Sequence, residues 1–257
     1  MKLLSIDCSA GPASVAVTEN GRILASAYIN LGRTPQRSAG GHASSLKTAE
    51  SSSAPRITHS QTLLPMVEAM LQNSRIPLEE IGGFAISAGP GSFTGTRIGI
   101  AAVKGLAFSA DLPCLPVSTL EAIAMNFLEL PLNGIICAAM DARCEQIYTA
   151  FFRIADGEIR RLTEDMALAE GEARERLEAY GEPVYLAGDG AELCYERWQD
   201  KPLKCVLAPP QLRYQQAAGV ATAAERMLAA GQAVSAADLM PVYLRAPQAE
   251  RERQERK

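Results

Sequence analysis

The residues in this chain that could do chemistry are few and far apart. Asp7 ends the apolar run 3–7, and Asp141 ends the apolar run 135–141. A carboxylate at the end of a buried strand can hold Mg²⁺ or polarise water beside a phosphate. It can equally cap the turn that follows, and Arg143 offers Asp141 an internal ion pair. Phosphate-side partners are thin, because no Lys or Arg follows Asp7 until Arg22. The two histidines, His42 and His59, form neither an H-x-x-x-H nor an H-E-x-x-H pattern. No helix therefore presents two imidazoles to a metal, and neither metal nor cofactor is expected. His59-Ser60 are sequence neighbours, which is no base–nucleophile geometry for a hydrolase.

The second candidate is the turn Gly89-Pro90-Gly91, between the apolar run 84–87 and a helical pattern that runs past Gly95. Glycines there permit positive φ and a close backbone approach. Ser92 or Thr94 can cap the helix. A P-loop is excluded, since no G-x-x-x-x-G-K-[ST] occurs. A Rossmann fingerprint fits poorly, with Thr94 where the third glycine belongs and Asp111 ahead of the next strand rather than at its end. Two readings stay open. One is a tight strand-to-helix turn with a closely packed helix. The other is a phosphate-approach turn now used for a partner contact.

The elements that position these residues repeat. Runs 3–7, 14–18 and 22–29 read as strands, the last two joined by the hairpin signal Asn20-Gly21. Residues 31–56, rich in Ser, Gly and Ala, read as a mobile loop. Helix 61–73, strand 84–87, the next helix, strand 114–117 and helix 120–128 follow. The second half runs strand 135–141, hairpin 146–154 and 158–162 on Asp156-Gly157, helix 170–180, strand 184–187, helix 191–199, strand 204–207 and helix 215–230. Two copies of β-β-β-α-β-α-β-α imply an internal duplication. The expected fold class is α/β: two actin-like lobes of the ASKHA, ribonuclease H-like kind, with mixed sheets flanked by helices and a cleft between them. The expected division is 1–112, 113–245 and a disordered tail 246–257.

Composition narrows the function. The chain has 257 residues, 47% of them hydrophobic, and a net charge of −4, with a pI near 5.4. Nucleic-acid affinity comes mainly from Lys and Arg on phosphates, so such a chain is a poor stand-alone RNA binder. Six scattered cysteines without a C-x-x-C fit free thiols in a reducing cytosol. With no run of eighteen apolar residues and no signal peptide, a cytoplasmic protein without membrane contact is expected.

Several motifs resemble one family. They are Ile6-Asp7-Cys8-Ser9 with Ser14-Val15-Ala16-Val17, His59-Ser60 with Leu63-Leu64-Pro65, the run GPGSFTGTRIG at 89–99, Met140-Asp141-Ala142-Arg143, and Pro241-Val242-Tyr243-Leu244-Arg245. Together they closely resemble the TsaB family, also known as YeaZ, over nearly the whole chain. That resemblance implies a bacterial protein that works in making N6-threonylcarbamoyladenosine beside the anticodon of tRNAs reading codons that begin with A. It implies no catalytic site of its own, since in that family the chemistry belongs to the paralogue TsaD, which carries two metal-binding histidines. It implies TsaD and the ATPase TsaE as partners, and tRNA only through the complex. The loop 31–56 and the tail 246–257 are longer than the family pattern. The alternative reading is an actin-like ATPase or phosphotransferase using Asp7 and Asp141.

A partner surface is expected on two helices. Helix 61–73 carries a second apolar stripe at Met66, Ala69 and Met70, with Thr62 as its cap and Pro65 in the first turn. The next helix carries small residues at Gly95, Gly99 and Ala102, beside Val103 and Leu106. These residues and His59 are the expected interface for TsaD, or for a second copy of the chain when TsaD is absent.

Overall fold

The computed structural model describes residues 1–30, 58–199 and 201–245. The loop 31–56, expected to be mobile, and the tail 246–257, expected to be disordered, lie outside the described residues.

The first sheet is built from β1 (Lys2–Asp7), β2 (Pro12–Glu19), β3 (Arg22–Asn30), β4 (Ile81–Gly89) and β5 (Cys114–Ser118). Its order is β3-β2-β1-β4-β5. The hairpins pair antiparallel, while β4 lies parallel to β1 and β5. The second sheet contains β6 (Gly134–Asp141), β7 (Gln146–Ala155), β8 (Glu158–Arg161), β10 (Val184–Ala187) and β11 (Cys205–Leu207). Its order, β11-β10-β6-β7-β8, is the same arrangement read from the other end. A short strand β9 (Met166–Ala169), which the periodicity does not reveal, adds to β7. The structure is thus two actin-like α/β lobes with mixed sheets flanked by helices.

The helices are α1 (His59–Ser74), α2 (Phe93–Phe108), α3 (Thr119–Met125), α4 (Glu170–Glu178), α5 (Ala191–Trp198), the short α6 (Pro210–Arg213) and α7 (Ala217–Ala229). Helix α1 starts earlier than its sequence suggests. Thr58 is the N-cap, not Thr62, so Pro65 lies inside the helix. Gln61 Oε1 accepts from Thr58 N at 3.1 Å, which secures the entry turn.

The boundary expected at residue 112 does not match the pairing. Strand β5 pairs with β4, so the first sheet reaches Ser118. Helix α7, from the far end of the chain, packs on β1, β2, β4 and β5 as well as on α3. Ala217 N donates to Ser14 Oγ at 3.1 Å, and Gly21 N donates to Glu225 Oε1 at 2.7 Å. One buried cluster accordingly joins the halves, from Leu3, Ala85 and Leu115 through Val220 to Ile136, Met140 and Phe152. Burial of this kind contributes roughly 25 cal/mol per Å² of apolar surface.

Candidate functional site

Strand β1 carries Asp7 to the end of the first sheet, yet its carboxylate does not enter the cleft. The residue is 1% exposed. Oδ1 accepts from Ser9 N at 3.0 Å and Ser9 Oγ at 2.9 Å, and Oδ2 accepts from Ser87 Oγ. Burial raises the carboxyl pKa, and these donors pull it back. The group ties β1 to β4 beneath the cleft floor. This corrects the expected pair of cleft carboxylates: Asp141 is one, Asp7 is not.

Asp141 holds the matching place in the second sheet and lines the cleft. Arg143 N donates to its Oδ1 at 2.8 Å, and Arg143 Nη1 pairs with Oδ2 at 3.1 Å. Because Arg143 is largely exposed, the pair contributes under about 1 kcal/mol. Its geometry comes from an unusual turn. Arg143, Cys144 and Glu145 have φ of 65, 52 and 58° in succession, a left-handed run that costs roughly 1–2 kcal/mol per residue. Ladder bonds from Ala142 N to Gln146 O (3.0 Å) and from Gln146 N to Arg143 O (3.2 Å) hold it.

The cleft's second carboxylate is Asp189, which sequence reading passed over. Its signal lay in the repeat: Gly188-Asp189-Gly190 stands at the end of β10 as Gly89-Pro90-Gly91 stands at the end of β4. Asp189 is open to water in the cleft but crowded by protein on most sides. That crowding pushes its carboxyl up to about 6, against the pull of its hydrogen bond from Gln215; the charge of Asp141 adds to the rise. Gln215 Nε2 donates to Asp189 Oδ1 at 2.9 Å.

The glycine turn makes its close approach to the protein itself. Ser92 N donates to Ser9 O at 2.6 Å. A Cβ on Gly91 would strike that same carbonyl. Gly89, at φ 125°, lies against the carbonyl of Val242, where any side chain would collide. Ser9 and Val242 thus press on this turn, while Pro90, Gly91 and Ser92 still line the cleft cavity. Ser92, one of the two candidate caps, starts α2 and accepts from Gly95 N at 3.2 Å.

Residues 241–245 cross the mouth of the cleft. Val242 N donates to Ala88 O at 2.7 Å. Tyr243 stacks on Phe93 with ring centroids 4.8 Å apart and accepts from Arg97 Nε at 2.8 Å. Arg97 also lies 3.7 Å over the Phe93 ring. At the other end Arg245 Nη1 donates to Ala142 O at 3.2 Å. Three motifs distant in sequence meet here, around a cavity of about 480 Å³ lined by Ser9, Gly91, Asp141, Arg143, Asp189 and Arg245. Two carboxylates and two guanidiniums can bind or repel charge. Among the described lining residues there is no imidazole or thiol to serve as base or nucleophile. No three His, Cys, Asp or Glu side chains among the described residues stand close enough to hold a metal ion. No described helix is long and apolar enough to cross a membrane.

The expected interface residues divide. A Cβ on Gly99 would lie 2.6 Å from Cys8 Sγ and 2.8 Å from Ile86 Cδ1, and one on Gly95 would strike Cys8 O. These glycines let α2 press onto its own sheet. Val103, Met66 and Met70 are core residues of the first lobe. His59 donates from Nε2 to Pro12 O at 3.2 Å, stitching α1 to β2. Gly95, Gly99, Val103, Met66 and Met70 are therefore buried, and His59 is half-buried. Ala69 is exposed, and Ala102 and Leu106 are half-buried. Leu64, which is not among the expected interface residues, is 50% exposed. With Val67, Leu71, Ile76, Leu78 and Leu106 it lines an apolar groove of about 770 Å³ between α1 and α2.

Comparison with known proteins fits this arrangement. The family model for TsaD, tRNA N6-adenosine threonylcarbamoyltransferase, matches residues 54–252. The tRNA threonylcarbamoyladenosine biosynthesis protein TsaB of Escherichia coli is 31% identical over 248 residues, 95% of each chain. This chain belongs to the TsaB (YeaZ) family. The TsaB of Haemophilus influenzae is 44% identical over 91 residues, a stretch that spans 35% of this chain and 39% of that protein. The crystal structure of YeaZ from Pseudomonas aeruginosa superposes with a TM-score of 0.71 at 29% identity, covering 95% of this chain and 99% of that one. A second Pseudomonas aeruginosa structure, described as similar to peptidase YeaZ, gives 0.73 at 29% identity with the same coverage. Within this TsaB-family chain, the GPGSFTGTRIG, MDAR and PVYLR motifs form the two walls of one cleft and the segment across it.

Proposed function

We propose that the chain is a non-catalytic scaffold subunit in tRNA modification. It binds and supports TsaD, with TsaE, in forming N6-threonylcarbamoyladenosine next to the anticodon of tRNAs reading codons that begin with A. The observation that carries this reading is the 31% identity to a TsaB over 95% of both chains. The site geometry supports it. Asp7, half of the acid pair a phosphotransferase would use, has its oxygens engaged inside the protein. The glycine turn spends Ser92 N on Ser9 O. Work as a subunit in the cytoplasm, with no cofactor and with tRNA reached only through the complex, completes the reading.

The TsaD contact is assigned to the outer faces of α1 and α2. Their groove is apolar, and Leu64, Leu78 and Phe108 stand 50%, 38% and 79% exposed along it and beyond it. The TsaD family model matches residues 54–252 of this chain, a range that includes both helices, which supports a like helix pair in TsaD. A like pair can then pack face to face in a four-helix contact. A second copy of the chain takes the same face when TsaD is absent. A contact of this type buries about 1,600 Å² in total.

The test is reconstitution. TsaD, TsaE and this chain are mixed with unmodified tRNA, ATP and the threonylcarbamoyl donor, and the modified nucleoside is measured. Modification that needs the chain supports the reading. Equal modification without it overturns the scaffold role. Steady Mg²⁺-dependent ATP hydrolysis by the chain alone, lost in Asp141→Asn, would favour an enzyme instead.

A further inference from the structure

We infer that residues 241–245 are a brace that ties the two walls of the cleft together and fixes its opening. A two-lobed protein closes on a ligand by bending about a hinge, and the bend changes the distance across the mouth. Here the hinge side is a shared core, in which Leu3 and Leu115 of the first sheet lie in one buried cluster with Ile136 and Phe152 of the second. On the mouth side the brace is anchored at both ends. Its first-lobe anchor is the bond from Val242 N to Ala88 O, the close fit against Gly89, and the Tyr243 ring on Phe93. Arg97 adds to that anchor, lying over Phe93 while Nε donates to the Tyr243 hydroxyl, but the ring stack carries it. The second-lobe anchor is Arg245 on the carbonyl of Ala142. Ala142 begins the left-handed turn 143–145, a strained segment that gains from a fixed neighbour. With only four residues from Ala88's partner to Arg245's side chain, the walls cannot part without breaking one anchor.

The inference does not depend on the proposed role with TsaD, and it concerns the isolated chain. Its test is hydrogen exchange on the full-length protein, read separately on the two walls. Tyr243→Ala removes the ring stack and the Arg97 bond on the first lobe. If the brace transmits restraint, amides of 139–146, on the opposite wall, should exchange about tenfold faster. Arg245→Ala removes the other anchor, and amides of 88–97 should loosen in turn. Tyr243→Phe keeps the stack and should leave the far wall close to the wild type. Faster exchange confined to the mutated wall, in either variant, overturns the brace. If Tyr243→Ala fails to fold, Arg245→Ala, which deletes a single half-buried hydrogen bond, decides the question by its effect on 88–97.

Discussion

Cys8 and Gly99 meet so closely that a Cβ on the glycine would lie 2.6 Å from the Cys8 sulfur. Helix α2 reaches the end of β1 only because residue 99 has no side chain. Gly99→Leu should therefore lower stability by roughly 1–3 kcal/mol or more, as overpacking does. A thermal melt measures it, and an unchanged melt would return the glycine to the surface. Any loss of TsaD binding in this variant would follow from the disturbed fold.

The groove between α1 and α2 separates binding from folding more cleanly. Leu64 is half exposed, so Leu64→Asp should alter stability by less than about 0.5 kcal/mol. A charge buried in an apolar contact should nevertheless weaken co-purification with TsaD, and self-association without it, by tenfold or more. Titration by ultracentrifugation checks both. Unaltered association would move the contact to another face.

Asp189 should make stability depend on pH. Its folded pKa, about 6, lies above the usual unfolded value of about 3.9. Between those values the folded state holds more proton than the unfolded one. Its contribution is present below pH 4 and is lost as pH rises through 6. Asp189→Asn removes the titration, so the variant should gain on the wild type in melting temperature from pH 4 to pH 7.5. The difference between the two proteins isolates this residue from Asp7, whose pKa is raised too. A constant difference across that range would show that Asp189 titrates normally.

Thiol chemistry should pick out Cys144. It is the exposed one of the six cysteines, on the left-handed turn beside the cleft. Burial pushes Cys8 and Cys137 up to about 12, and raises Cys194 as well. An aromatic disulfide reagent at pH 8 should modify one thiol per native chain quickly and the rest only slowly or after denaturation. Fast reaction of Cys8 or Cys137 would mean that the strands open readily.

The sequence by itself determined the lobes. Apolar runs, Asn20-Gly21 and Asp156-Gly157 hairpins and a repeated element order are local signals, and local backbone preference wrote them. It also determined the motifs that mark the family, because each is a contiguous string. It did not determine which way a residue faces once elements pack. Gly95 and Gly99 form a stripe of small residues in either case, and only the packed sheet shows the stripe filled by Cys8 and Ile86. Met66 and Leu64 are both apolar on one helix, and only the placement of α1 over β2 and β3 buries the first and leaves the second half exposed. Asp7 and Asp141 end equivalent strands. The tertiary structure alone gave Asp7 three donors from Ser9 and Ser87 and left Asp141 to the cleft. Facing and partnership are set by contacts between residues tens to hundreds of positions apart, such as Arg97 with Tyr243. No string of neighbours encodes those, because the chain's own return path decides which groups meet.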